Sequence, residues 1–462
     1  MAITAVHYQP HTWSPAYNPI IWSFTSDLSS EVDMNYVVDL YINGATGYTY
    51  RLKQRPNPAG KCMVDISTIM QSYINLTDYT AEKGYTLPYK DSSDIVASVM
   101  IKVGETYDDD GVLVYKDGMG GTGDPLYAIY SNETAGLTSD KAVRVLPMAL
   151  DYYDSLSSME SIIDNGYLAP YIMGGTGEFL KRDSNNITLG STDYHTLSFL
   201  NWWDEGAGTY QTTVQGMEVS SYSDSGIISS TFYGNIQSQG GGPQTSLSYT
   251  STTQDRAYDM LTFKCGPADL TLPSGTTYYT VKAYFKDSAT TSTDRGSVAS
   301  ELVTFTLDTN CQDLYDVVRL SWLNDLGGRD YYNFNMFYEK TTKGKQETYF
   351  QHTYDWSGTV PVVLSNDADS SKNWLRGGEK IYNKQIIKDI RIETDWLDQT
   401  KINFLAGIPE SSSVWAYVGD DQFPYTLTVD NLTYSYKNVK QQKLVQAKIN
   451  ATITKINIKQ NI

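Results

Sequence analysis

The chain has 462 residues, and 40% of them are hydrophobic while only 19% are charged; at roughly 150 residues per domain this suggests about three domains able to bury real cores, and it excludes an intrinsically disordered chain. The 53 Asp and Glu against 35 Lys and Arg give a net charge of −18, which repels phosphate backbones and argues against direct nucleic-acid readout. The 38 tyrosines, beside 12 Phe and 9 Trp, suit pleated sheets with amphipathic rings, so a mainly β chain with a few short helices is expected.

Period-two spacing opens the chain: Ile20, Trp22 and Phe24 share one face, as do Tyr36, Val38, Leu40 and Ile42, predicting two half-buried strands. Asn43-Gly44 follows as a dipeptide that accepts positive φ. Ile66, Ile69, Met70, Tyr73 and Ile74 then fall at helical spacing behind Asp65, predicting a short helix from about 66 to 74 with Asp65 as its cap. Strands at 96–103 and 112–115 flank the turn Asp108–Gly111. Residues 1–130 therefore read as an N-terminal β-sandwich with one helix.

The second domain, 131–310, is expected to be immunoglobulin- or fibronectin-III-like with inserted loops. Tyr279, Val281, Ala283 and Phe285 alternate with Thr280, Lys282, Tyr284 and Lys286, giving one apolar and one wet face. This run resembles the strand that enters such a sandwich at its tyrosine corner, and 300–306 resembles the final strand. In the third domain, 311–462, strands at 317–322 and 331–338 flank Gly327-Gly328, and a helix from about 395 to 405 is expected behind Thr394 as cap, with Leu397 and Phe404 on one face. From Lys437 onward six lysines stand with no acid. Ala447, Ile449, Ala451 and Ile453 alternate, and Ile456 and Ile458 resume after a phase shift that would suit a bulge. This long terminal strand is expected to pair with another strand, including one from a neighbouring subunit, with Lys443, Ile449, Ile453, Ile456 and Ile458 as the assembly interface.

Chemistry-bearing constellations are sparse. Cys62, Cys265 and Cys311 are odd in number and far apart, so they read as buried thiols rather than a disulfide framework. His7 and His11 have metal-ligand spacing, but Pro10 lies between them and no HExxH follows; His195 has no GxSxG nucleophile elbow to serve. Met119–Gly123 and Met173–Gly177 repeat the same five residues without the Lys-Ser/Thr of a phosphate-binding loop, and Asp367, Asp369 and Ser371 start a calcium-like loop whose turn Gly is replaced by Lys372. No catalytic residue, metal site or cofactor is expected. In the cluster Trp202-Trp203-Asp204-Glu205 aromatic faces and carboxylates meet, as they do in a glycan or partner contact. Neither a leader at 1–10 nor a transmembrane segment is expected.

Three stretches carry a wider resemblance: Tyr17–Trp22 with Arg51–Lys53, Pro56–Pro58 and Asp65–Ser67; Leu320–Phe334; and Trp396-Leu397 with Phe404-Leu405 before Val414-Trp415. In these the chain is similar to virion structural proteins of tailed phages of gut Bacteroidetes, including the crAss-like short-tailed group. The resemblance implies a non-enzymatic ring, hub or collar component of the tail, or a head appendage, present in symmetric copies. Its implied partners are copies of itself and other virion proteins of the tail, the portal-proximal region or the capsid, and its implied place is the virion, assembled in the host cytoplasm. The alternative is a receptor- or glycan-binding head or tail fibre meeting a host-surface glycan through the Trp202 region, and a cell-surface glycosidase is a third reading. A fibre predicts long repetitive stalk sequence, whereas this chain has neither heptads nor short repeats.

Overall fold

The computed structural model describes residues 3–8, 10, 13–27, 29–74, 89–91, 96–109, 112–117, 128–129, 143–149, 169–171, 173, 177–201, 214–234, 259–285, 298–308, 317–351, 354–357, 360–363, 378–418, 425–434 and 445–458. The fold is mainly β, with several open antiparallel and mixed sheets. The chain forms two compact units, one of Met1–Gln312 with Leu323–Tyr331, the other of Asp313–Trp322 with Tyr332–Ile462.

The first unit begins with β1 (Ile3–Tyr8), β2 (Trp13–Pro15), β3 (Ile21–Ser26), β4 (Asn35–Ile42), β5 (Tyr50–Gln54), β6 (Lys61–Asp65), α1 (Ser67–Gln71), β7 (Tyr89–Asp91), β8 (Ala97–Asp109), β9 (Val112–Asp117), β10 (Ala128–Ile129) and β11 (Val143–Leu146). The alternating residues fill one core: Ile20, Trp22, Phe24, Tyr36, Val38, Leu40 and Ile42 are all buried together. Asn43 and Gly44 adopt φ of 53° and 71°, the two left-handed angles of a type I′ turn. The Asn43 carboxamide also accepts from the Ser98 N–H at 2.9 Å. β8 and β9 pair from Asp109↔Val112 onward, the expected second hairpin. β11 joins β8 and β2, so this sheet draws on residues beyond 130.

The helix is shorter than its apolar spacing predicts. Asp65 accepts from the N–H groups of Ser67 at 2.9 Å and Ile20 at 3.1 Å, forming a local turn and a tertiary tie, and Ile66 takes the cap position without a side-chain bond. After Gln71 the backbone continues in i+3 turns, Ser72 to Ile69 and Tyr73 to Met70, which still bury Ile74.

The same unit continues with β12 (Asn186–Gly190), β13 (Thr196–Asn201), β14 (Val214–Ser223), β15 (Gly226–Tyr233), β16 (Asp259–Lys264), β17 (Tyr278–Phe285) and β18 (Val303–Asp308). They make a sheet of order β12-β18-β17-β14-β15 and a smaller one of order β13-β16-β7. Residues of both sheets, among them Phe199, Phe263, Tyr279, Val281 and Phe305, fill one core. The Tyr279 hydroxyl donates to the Cys265 carbonyl at 2.7 Å, and its ring stacks on Phe305 at 5.0 Å.

Segment Leu323–Tyr331 is tied to this unit by buried polar contacts. The Asp330 carboxylate accepts from the Arg182 N–H at 3.1 Å and from Asn324 Nδ2 at 3.0 Å. Asn324 also donates to the Leu180 carbonyl, and its Oδ1 accepts from the N–H groups of Leu326 and Gly328. A Cβ at Gly328 would lie 1.8 Å from the Leu180 oxygen, so only glycine allows this backbone approach.

The second unit holds β19 (Val318–Leu323) and β20 (Arg329–Phe334) through their second-unit residues, then β21 (Phe337–Gln351), β22 (Tyr354–Ser357), β23 (Val360–Val363), β24 (Gly378–Glu393), α2 (Gln399–Leu405), α3 (Gly407–Glu410), β25 (Val414–Val418), β26 (Tyr425–Tyr434) and β27 (Ala447–Ile458). Its main sheet runs β20-β19-β25-β26-β27-β24-β21. Trp322, Phe334, Ile390, Ile392, Ile402, Leu405, Ile449 and Ile453 fill its core. α2 starts at Gln399 rather than 395, because the Thr394 hydroxyl accepts from the Ala447 N–H at 2.9 Å while Asp398 accepts from the Lys401 N–H at 2.8 Å and caps the helix. Leu397 pairs instead with Val445 through two backbone bonds.

Candidate assembly surface

β21 and β24 pair antiparallel from Phe337↔Glu393 to Gln351↔Gly378. Threonines, isoleucines and aromatics interleaved with charges favour extended backbone here. The root of the ribbon is anchored: Ile390 and Ile392 enter the core, and β24 pairs β27 from Glu393↔Lys448 to Gln385↔Ile458. Charges stitch the wet side of this root. Lys343 lies 2.6 Å from Asp389, which also accepts from the Thr452 hydroxyl at 3.0 Å. Lys448 reaches Glu393 at 3.1 Å and Arg391 reaches it at 2.6 Å. Those hydrogen bonds, from Lys343 and from Lys448 respectively, hold the Asp389 and Glu393 carboxyls below their usual range.

Beyond Gln385 the ladder continues between β21 and β24 for six pairs, Gln346↔Lys384 to Gln351↔Gly378, a reach of about 20 Å at ~3.4 Å per residue. Between Glu347↔Asn383 and Thr348↔Ile381 the register shifts, and Tyr382 is the extra residue of a bulge. Its ring meets Tyr349 edge-on at 6.2 Å. Glu347 accepts from Asn383 Nδ2 at 3.2 Å, and its bonds from Asn383 and the Tyr382 hydroxyl lower its pKa while raising that of Tyr382. On the other face the Thr348 hydroxyl donates to Glu379 at 2.6 Å. Cross-strand partners share a face, so Phe350 and Ile381 lie on one side of this end of the ladder, from which the chain runs on to β22 and β23, and Tyr349 and Tyr382 on the other. All four are exposed, by 69%, 48%, 49% and 59% respectively. Large apolar groups gathered at one exposed place are the usual mark of an interaction site.

The residues singled out from sequence fall elsewhere. Trp202, Trp203, Asp204, Glu205 and Lys443 lie outside the described residues. Ile449 and Ile453 are buried in the core of their own unit, because β27 lies between β26 and β24 instead of at an edge. Ile456 and Ile458 belong to β27, and the ladder slips from Lys388↔Ile453 to Ile386↔Asn457, where the phase shift predicts a bulge. His195 is buried against Tyr331 and Phe305 at 4.5 and 5.1 Å. Burial pushes the Cys62 thiol up to about 12, which keeps it protonated and unreactive. Cys311, His11, His352, Met119–Gly123 and Asp367–Ser371 are outside the described residues. Among the described residues no three His, Cys, Asp or Glu side chains are grouped to hold a metal ion, and no helix is long and apolar enough to cross a membrane. No protein-family model and no curated protein matches this sequence.

Sequence reasoning misses the ribbon because, beyond the short Ile390–Ile392 alternation at its root, polar residues occupy both of its faces and leave no apolar period to read. One signal was present. Tyr349-Phe350 and Ile381-Tyr382 are adjacent large pairs, and neighbours on a strand point to opposite faces, so both faces carry an apolar group at the same end.

Proposed function

We propose that this chain is a non-enzymatic structural subunit of a tailed-phage virion, a ring, hub or collar component that assembles in symmetric copies. The observation that carries the reading is the anchored ribbon whose far end, where the chain runs on to β22 and β23, presents exposed apolar side chains on both faces, a shape suited to holding a neighbour rather than a small substrate. The phage resemblance supports it. Within the resembling segment Leu320–Phe334, Trp322, Asn324, Arg329, Asp330, Tyr331 and Phe334 are buried, so that segment carries folding information rather than exposed chemistry. At the finer level we read the chain as serial immunoglobulin- or fibronectin-III-like sandwiches; the Tyr279 hydroxyl on the Cys265 carbonyl and the shared core of two sheets support this for the middle segment.

The test is the state of the purified full chain. Light scattering and electron-microscopic class averages should give a closed assembly with one rotational symmetry. A chain that stays monomeric and retains host polysaccharide on an array would overturn this reading in favour of a glycan-binding fibre.

A further inference from the structure

We propose that Lys181 and Asn185 become joined by an intramolecular isopeptide bond, which the chain forms by itself with Glu301 carrying the protons. The inference stands apart from the assembly reading. It rests on three side chains brought together within the first unit.

Lys181 lies in the segment that leads into β12, and its Nζ donates to the Asn185 carboxamide Oδ1 and, at 3.0 Å, to the Asp183 carbonyl. Glu301, just ahead of β18, reaches both nitrogens of the pair with a single carboxylate. Its Oε2 accepts from Asn185 Nδ2 at 2.6 Å, and its Oε1 lies 3.5 Å from Lys181 Nζ. The Phe179 N–H holds Oε1 in place at 3.1 Å. The Lys181 and Glu301 side chains are only 8% and 17% exposed, whereas Asn185 is exposed and leaves a small leaving group a way out.

An amine, a carboxamide and a carboxylate that bridges them are the parts of an amide exchange. Nζ passes one proton to Oε1, which leaves an amine with a free lone pair beside a carboxylic acid; scarce water lowers the cost of that step. The lone pair attacks Asn185 Cγ, whose Oδ1 Nζ already contacts, and the carbonyl π pair moves onto Oδ1. Glu301 then gives its proton through Oε2 to Nδ2. As the oxygen pair returns, the Cγ–Nδ2 bond breaks and ammonia departs, taking a second proton from Nζ to become ammonium. One C–N bond forms and one breaks, no oxidant or reductant is needed, and Glu301 ends as the carboxylate it began as. Holding the reacting groups in contact replaces a chance encounter.

The product closes a covalent ring over 181–185 immediately before β12. The Asn185 carbonyl accepts from the Thr304 N–H at 2.7 Å, and β12 then pairs parallel with β18 from Asn186↔Thr304 to Gly190↔Asp308 as the outermost strand of its sheet. A strand bonded on one side only opens more readily than a central one, and the ring pins the start of this one.

The test weighs the purified full chain by mass spectrometry under denaturing conditions. The chain should be lighter than its sequence by one ammonia, and a peptide spanning 179–186 should carry the whole deficit. Lys181 of the denatured protein should resist acetylation, as an amide nitrogen does. Glu301→Gln keeps an acceptor for the Phe179 N–H but carries no proton, and should slow the ammonia loss about a hundredfold or more. Lys181→Arg should abolish it. A peptide 179–186 of unaltered mass, even after prolonged incubation of the natural chain at mildly alkaline pH, overturns the proposal. A deficit with Lys181 still open to acetylation also overturns it, since that marks a succinimide formed with the Asn186 backbone nitrogen. Linkage in Glu301→Gln at the natural rate would overturn the part assigned to Glu301.

Discussion

Asn324 donates to the carboxylate of Asp330 at 3.0 Å, inside a site where Asp330 is fully enclosed. Burial dominates the balance there. It pushes the Asp330 carboxyl from 3.8 up to about 7, although the bonds from Asn324 and the Arg182 N–H pull the other way. A carboxyl with a raised folded pKa binds its proton more tightly folded than unfolded. Its contribution to stability is therefore full below about pH 4 and is lost as pH rises through about 7. Asp330→Asn keeps an acceptor but cannot titrate. The stability of the natural protein minus that of this variant should rise as pH is lowered from about 7.5 to about 4.5, measured by urea unfolding. A flat difference, or one that grows with rising pH, contradicts the assignment.

Trp322 packs against Phe404 at 5.0 Å and is 1% exposed, and a Cβ at Gly407 would come within 3.3 Å of its Nε1. Trp322→Ala removes this contact and leaves a cavity bounded by α2, so it should cost about 3–5 kcal/mol. Phe334→Ala should behave alike, since Phe334 shares the same core and contacts Tyr332 at 4.9 Å. Denaturant unfolding of the full chain, followed by tryptophan fluorescence, checks both. A loss under about 1 kcal/mol, typical of surface positions, would show the rings to be peripheral.

Where one face of a strand is buried, the sequence announces it: Trp22, Phe24, Val38 and Leu40 are legible because their neighbours alternate. The other face of β4 is not legible, since Asp39 looks like a solvent residue and is fully buried by a partner twelve positions away. Helix boundaries fail for a related reason. Thr394 and Asp398 are both competent caps, and a tertiary bond from Ala447 decides between them. The ribbon is hidden because the far half of its ladder, Gln346–Gln351 with Gly378–Lys384, is polar on both faces apart from four large side chains. A stretch that buries little apolar surface carries no apolar period, and only the adjacent large pairs Tyr349-Phe350 and Ile381-Tyr382 mark it.

Arg51 grips Asp39 with two bonds, Nε to Oδ1 at 2.8 Å and Nη2 to Oδ2 at 2.9 Å. Asp39 is sealed from solvent while Arg51 remains 29% exposed. Arg51→Ala would strand a buried carboxylate and should cost about 3 kcal/mol, the low end for breaking a buried pair. Replacing both partners, Asp39→Val with Arg51→Leu, should restore most of that loss, because β4 is otherwise apolar and no charge is left to desolvate. Thermal and urea denaturation of the three variants gives the comparison. A double variant no more stable than Arg51→Ala would mean that the pair specifies the β4–β5 register rather than balancing charge.

The terminal strand is the other place where burial redirects the expectation. β27 pairs with β24 on one side and β26 on the other, and Ala447, Ile449, Ala451 and Ile453 fill the core between them. Removing residues 440–462 would break both ladders, expose the apolar faces of β24 and β26, and take away the acceptor that fixes Leu397. The second unit should then unfold as a whole while the first keeps its structure. Ile449→Ala alone, a truncation of a fully buried side chain, should cost about 2–5 kcal/mol. Limited proteolysis with fragment mapping separates the cases. The truncated chain should be cut throughout 332–434 and remain protected in the sheets before 309. Protection of 332–434 equal to that of the full chain would mean that β27 is dispensable to its unit, and its role would return to contacts with a neighbour.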